Sequence, residues 1–415
     1  MLNSEMVRAH FPALGSGAIF FDNPGGTQVV QEVIQRMAHY YQHTNANHGG
    51  SFYTSRSSDA VVHESRQAMA DFLNAARPEE IIFGQNMTSL TLHISRSIAR
   101  LLKEGDEIIV TRLDHDANIA PWLLIAEDRG CQIRWVDIHP EDCTLNMEEL
   151  ERQLSSRTKL VAIGYASNAV GTINDVRRAV QLAHSVGALC FIDAVQYAPH
   201  RTIDVQELDC DFLACSAYKF FGPHLGILYG KYELLDRLTA YKVRPASNEL
   251  PDKFETGTQS FESIAGTLGA LEYLSWLGTT FGEEYIPRYQ ERFSGRGLAL
   301  KQAMATIEAY EIDINTALLN TFNSVPGLHI WGITDPARMS ERVPTFSFTL
   351  HGKDPEAIAE ALGQENIYVW NGNFYALAVI ERLGLEEQGG VVRVGLAHHN
   401  TTAEISRLHE ALHRL

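Results

Sequence analysis

From about residue 80 to residue 230, short apolar runs alternate with stretches in which apolar positions recur every three or four residues. The runs predict strands at Glu80–Phe83, Glu107–Thr111, Gln132–Val136, Lys159–Gly164, Leu189–Asp193, Asp211–Cys215 and Gly226–Tyr229. The periodic stretches predict helices between most of them, including Ser89–Leu102 and Val176–Val186. Apolar strands alternating with amphipathic helices form a parallel sheet covered on both faces. From about 280 to 310 the pattern turns helical, and after Pro326 a second α/β portion begins, with strands near Thr345–Leu350 and Val391–Leu396. A chain of 415 residues is too long for one ordinary core. The expected fold class is therefore α/β. A large domain with a mostly parallel seven-stranded sheet spans 20–275, a smaller C-terminal α/β domain spans 276–415, and the segment 1–19 packs on the latter.

Charge narrows the partners. With 34 Lys+Arg against 51 Asp+Glu, the net charge of -17 repels nucleic acid and anionic membrane, which leaves a small molecule as the expected partner. The N-terminus lacks a charged start followed by a long apolar run, and no segment approaches the length of a membrane span, so a cytoplasmic protein is expected. Five scattered cysteines without a C-x-x-C pair indicate neither a disulfide framework nor a thiolate zinc site.

In sheets of this kind ligands gather at the carboxyl ends of the strands, so the polar residues there are the candidates. The segment D-F-L-A-C-S-A-Y-K-F-F-G-P sets Lys219 between two buried strands, next to Phe220 and Phe221. A buried, unpaired ammonium is costly, so its pKa falls, and the neutral amine that results is what Schiff-base chemistry requires. The other reading of Lys219 is a snorkelling surface lysine. Ser216 ends the same strand, where its hydroxyl reaches a phosphate or simply makes a turn. The strand before it ends F-I-D-A-V-Q: Asp193 there is placed to keep a pyridine nitrogen protonated, or to cap a turn, and Gln196 follows. After I-I-F-G-Q, the N-M-T-S sequence opens a helix whose amides near Met87 and Thr88 attract phosphate, with Thr88 or Ser89 as plain N-cap in the simpler reading. His115, in L-D-H-D-A-N, is placed to lie on an aromatic cofactor or to stand free on a loop. Together these positions serve a phosphate, a ring nitrogen, a ring face and an aldehyde.

These residues resemble the cysteine desulfurase and selenocysteine lyase branch of the class V enzymes dependent on pyridoxal 5'-phosphate (PLP). The resemblance covers nearly the whole chain. It runs from F-F-D-N-P-G-G-T through D-H-D-A-N-I-A-P-W, S-N-A-V-G-T, D-A-V-Q, S-A-Y-K-F-F-G-P and F-E-T-G-T-Q to V-R-V-G-L. It implies the PLP-transferase fold of type I and a Schiff base at Lys219. It also implies His115 on the ring, Asn168 near the cofactor oxygen and substrate, Asp193 at the pyridinium, Gln196 at the phenolic oxygen and Ser216 at the phosphate. Thr258 matches a residue that reaches the neighbouring subunit's phosphate, which implies a homodimer, and Arg393 matches the arginine that pairs with a substrate carboxylate.

The chain departs from that pattern twice. Tyr218 replaces the usual histidine before the lysine, and V-W-N-G-N-F-Y-A occupies the place of R-T-G-H-H-C-A, so Tyr375 stands where the sulfur-accepting cysteine belongs. None of the five cysteines lies in the C-terminal portion. The expectation is a PLP-dependent enzyme that acts on an amino acid as a C–S or other β-lyase without persulfide chemistry, with Tyr375 facing the substrate. A class V aminotransferase and a non-catalytic binding protein on the same scaffold are the alternatives. No metal is expected. His409 to His413 match H-E-x-x-H, but only two residues follow, and Ile405, Leu408, Leu412 and Leu415 make a packing stripe. A dinucleotide-binding enzyme is disfavoured because no G-x-G-x-x-G follows a strand.

Overall fold

The computed structural model describes residues 2–415. Seven strands form the main sheet: β1 (Ile81–Gly84), β2 (Glu107–Thr111), β3 (Gln132–Val136), β4 (Thr158–Gly164), β5 (Leu189–Asp193), β6 (Phe212–Ser216) and β7 (Gly226–Gly230). Their order across the sheet is β1-β7-β6-β5-β4-β2-β3. Only β7 runs against its neighbours. The sheet is thus mostly parallel, as the apolar runs predict, and the strand bounds differ from the sequence reading by a residue or so.

Alternate residues of these strands enter two apolar clusters, one on each face. Ile109, Val161, Ile163, Ile192 and Leu213 pack on one side, against Leu268 and Leu271 of the helix Phe261–Phe281. Ile108, Val110, Leu160, Phe191 and Phe212 pack on the other, against Leu90, Ile94 and Ile98 of the helix Met87–Ala99. Burial on both faces is why the strands show no clear polar alternation.

A second, antiparallel sheet follows: β8 (Leu328–Trp331), β9 (Thr345–Leu350), β10 (Trp370–Gly372) and β11 (Val391–Gly395), ordered β8-β9-β11-β10. Phe346, Phe348, Val392 and Val394 form its core with Ile314, Leu318 and Leu408. The proposed division at residue 275 falls inside the helix Phe261–Phe281. Apolar packing passes between clusters later, along the helix Gly295–Asn323, where Ile307 belongs to the first and Ile314 to the second. The N-terminal segment touches both parts. Val7, Phe11 and Leu14 pack into the first cluster, Ile19 into the second, and Arg8 donates to Glu404 and to the His399 carbonyl at 2.8 Å.

Among the described residues no helix is long and apolar enough to cross a membrane.

Candidate active site

The carboxyl ends of β4, β5 and β6 open onto a small inner hollow of about 80 Å³. Lys219 closes it from below. A single turn, Ala217–Lys219, follows β6 and is succeeded by the buried Phe220 and Phe221, so the lysine is buried and faces only the hollows at the strand ends. Its Nζ donates to the Pro24 carbonyl and lies 5.0 Å from the Tyr218 ring centre. Burial lowers its pKa to about 7, the Arg393 charge adds to the shift, and Asp193 opposes it.

Asp193 ends β5, fully within the protein, and its Oδ1 accepts from the Val195 amide at 2.9 Å. Burial raises its pKa to about 6, against the Val195 hydrogen bond and the Lys219 charge. A carboxylate held this way gains from a cationic partner, such as a protonated ring nitrogen, because pairing offsets its desolvation. Asp114, one residue before His115, lines the same hollow. Burial raises it to about 8 although Thr111 and Asn118 donate to it, the latter at 2.7 Å.

His115 is neutral: burial foremost, then the charges of Lys219 and Arg393, lower its pKa to about 4. Its Nδ1 accepts from the Ala117 amide at 3.0 Å, which assigns the ring proton to Nε2. Above it lies Tyr375, with ring centres 5.7 Å apart and planes inclined by 20°.

Met87, Thr88, Asn168, Gln196 and Ser216 complete the inner hollow, so the fold brings together all but one of the predicted cofactor residues. The helix that starts at Met87 is capped by Asn86, whose Oδ1 accepts from the Ser89 amide at 2.8 Å. This corrects the reading of Thr88 or Ser89 as the cap, and leaves the first amides of the helix without intrahelical acceptors, as at any N-terminus. Gly226 makes room for that turn, since a Cβ there would come within 2.3 Å of the Asn86 backbone carbon. Thr258 is the exception. It is exposed and lines a separate hollow of about 680 Å³ with Ser89 and Arg96.

Arg393, on β11, reaches across from the second sheet. Its Nη1 donates to the Asn168 carbonyl at 2.9 Å and its guanidinium lies 4.0 Å from the Phe374 ring centre. Burial lowers its pKa to about 9, with Asp22 and Tyr218 acting in the opposite direction. It opens, with Lys219 and His115, onto an outer hollow of about 980 Å³ walled by Trp370, Phe374 and Tyr375.

Three buried polar atoms of these residues have no partner in the chain: Asn168 Oδ1, Gln196 Oε1 and Arg393 Nε. Gln196 spends its amide Nε2 on the Thr345 hydroxyl at 3.0 Å. Buried polar groups are nearly always paired, so unpaired ones around a hollow fit a polar ligand. A buried amine, a buried acid, a helix N-terminus and a neutral imidazole are the donor set that a phosphorylated pyridine aldehyde requires, and the residues fit that group.

Some contributors were not legible beforehand. Pro24 sits in a short turn near the N-terminus and Trp370 opens β10 of the second sheet, and only the chain's return brings the Pro24 carbonyl and the indole to Lys219. Asp114 carried a signal, as a carboxylate beside His115 at a strand end. His409 and His413 stand apart from the site, and His409 Nε2 is bonded to the Ser324 hydroxyl at 2.9 Å.

This arrangement, a lysine after the sixth strand of a mostly parallel sheet with an acid at the end of the fifth, defines a PLP-dependent enzyme of the type I transferase fold. The chain belongs to the class-V aminotransferase family, which it matches over residues 19–300 and 295–408. It is 35% identical to a cysteine desulfurase of Synechococcus elongatus over 99% of this chain and 63% of that protein. It is 34% identical to an aminotransferase-like protein of Gibberella zeae over 98% of this chain and 97% of that one. The chain thus spans less than two thirds of the first relative and nearly all of the second. Its structure superposes on the apo cysteine desulfurase of Thermococcus onnurineus with a TM-score of 0.87 and 25% identity, covering 100% of this chain and 98% of that one.

Proposed function

We propose that the protein acts on an α-amino acid bound between Lys219 and Arg393, as a β-lyase that forms no protein-bound persulfide. The observation that carries the second half is the position of the thiols. Among the described residues no cysteine lines either hollow around Lys219. Cys143, Cys190, Cys210 and Cys215 are buried, and burial raises their thiol pKa values, that of Cys143 to about 12. A thiolate is the sulfur nucleophile, and these groups stay protonated.

Bound PLP supplies an aldehyde that takes up an amine and a ring that withdraws electrons from the substrate's Cα. Lys219 Nζ would hold that aldehyde and, when free, would take the proton from the substrate Cα; a pKa of about 7 suits it to both tasks. Asp193 would keep the ring nitrogen protonated, neutral His115 would lie against the ring, and the Gln196 amide would face the phenolic oxygen. The amides of Met87 and Thr88 and the Ser216 hydroxyl would hold the phosphate. Arg393 takes the substrate carboxylate, with Asn168 beside it. Thr258, exposed and apart from the hollow around Lys219 of its own subunit, would reach the phosphate of a second subunit in a homodimer.

The test is a panel of amino acids incubated with the PLP-loaded enzyme, with and without a keto acid. Pyruvate or another keto product formed without added keto acid supports elimination. An absolute keto-acid requirement with accumulation of pyridoxamine phosphate overturns it in favour of transamination.

A further inference from the structure

The outer hollow is far larger than a cysteine side chain requires. Its volume of about 980 Å³ lies at the upper end of cavities that enclose drug-sized ligands, roughly 300–1,000 Å³. Cysteine ends one atom beyond Cβ. Part of this space, beside Thr88, His115 and Lys219, belongs to the cofactor; Lys219 and Arg393 would fix the Cα end of a substrate next to it, and the part walled by Trp370, Phe374 and Tyr375 lies along the side chain.

The far wall is aromatic and held in place. Trp370 is 50% and Tyr375 74% exposed, so both rings present open faces. The indole occupies room that only glycine leaves, because a Cβ on Gly25 would stand 2.4 Å from its Nε1. Phe374 and Tyr375 both adopt left-handed backbone, with φ of 56° and 57°. Such backbone is strained for a residue other than glycine and persists where the surroundings fix it. Here the fixing bonds come from the site. Asn168 Nδ2 donates to the Phe374 carbonyl at 2.9 Å, the Asp116 amide to the Tyr375 carbonyl at 2.7 Å, and the Tyr375 amide to Asn373 Oδ1 at 3.0 Å. Tyr375 is thereby stacked on His115 with its other face free.

We infer that the substrate is an amino acid with a long side chain ending in a flat π-system, an aromatic ring or a guanidinium, which lies against Trp370 and Tyr375. This rests on the amino-acid reading above and names the substrate class for the same site. Both kinds of terminus stack on aromatic faces. Asp116, which also lines the hollow, tells them apart, because its carboxylate favours only the cation.

The test is binding, read from the shift of cofactor absorbance as the PLP-loaded enzyme is titrated with L-alanine, L-cysteine, L-phenylalanine and L-arginine. At least one of the last two is expected to bind about tenfold more tightly than L-alanine. Trp370→Ala and Tyr375→Ala are expected to abolish that preference, and Trp370→Phe to retain it. Asp116→Asn weakens L-arginine if the terminus is cationic and leaves L-phenylalanine unchanged if it is aromatic. Equal affinity across the panel, or equal weakening of all four ligands by the ring variants, overturns the inference. If no amino acid shifts the spectrum, the amino-acid reading itself fails.

Discussion

Arg393 donates through Nη1 to the backbone carbonyl of Asn168 at 2.9 Å, and this bond ties the central strand β11 of the second sheet to the turn after β4 of the first. The guanidinium keeps Nε unpaired in a buried setting, so the residue that bridges the two parts also retains a donor for a ligand.

Arg393→Ala is expected to weaken binding of α-amino acids by about 2–5 kcal/mol, the usual cost of truncating one partner of a buried, hydrogen-bonded charge pair. Amines of the same side chain but without the carboxylate are expected to lose almost nothing. Calorimetric titration of both ligand sets checks this, and equal losses would assign Arg393 a structural role.

Lys219 is expected to carry the phosphopyridoxyl label after borohydride reduction and peptide mapping. The pKa of its amine falls from 10.5 to about 7, and only the neutral amine attacks an aldehyde. The rate of covalent capture of PLP by the apo protein therefore rises with pH through about 7 and levels off near 8. A midpoint close to 10 would show an ordinary solvated lysine.

Asp193→Asn is expected to retain cofactor and lose activity by on the order of a hundredfold or more, because an amide does not hold a ring nitrogen protonated. The bound cofactor's absorbance and turnover, measured on the same sample, separate weakened binding from weakened chemistry.

Gly226→Ala tests the phosphate end. The added methyl meets the Asn86 backbone at 2.3 Å, and backbone cannot swing aside as a side chain does. The expected cost is about 1–3 kcal/mol of stability, together with weaker PLP binding as the Met87 turn is displaced. Thermal melts with and without PLP measure both effects.

Incubation with L-cysteine is expected to leave all five cysteines unmodified in intact-protein and peptide mass spectra. A stoichiometric persulfide on one of them, with activity lost on its change to Ser, would restore a desulfurase mechanism.

Much of the first sheet was legible in the sequence because its strands are buried on both faces, which leaves short unbroken apolar runs such as Glu107–Thr111 and Leu189–Asp193. Positions at strand ends were legible for the same reason: once a strand is placed, its last residue is placed, so Asp193, Ser216 and Lys219 were found together. The N-cap was assigned two or three residues too late, since Asn, Thr and Ser all cap helices and only the backbone geometry selects Asn86. Tertiary structure alone decided what meets across distance. Trp370 lies on Gly25, Tyr375 on His115 and the Pro24 carbonyl on Lys219, and no local periodicity encodes those contacts. Burial set the ionisation of the site in the same way. A lysine, an aspartate and a histidine have ordinary pKa values in any short peptide, and they depart from them here because packing of distant segments removes water from all three.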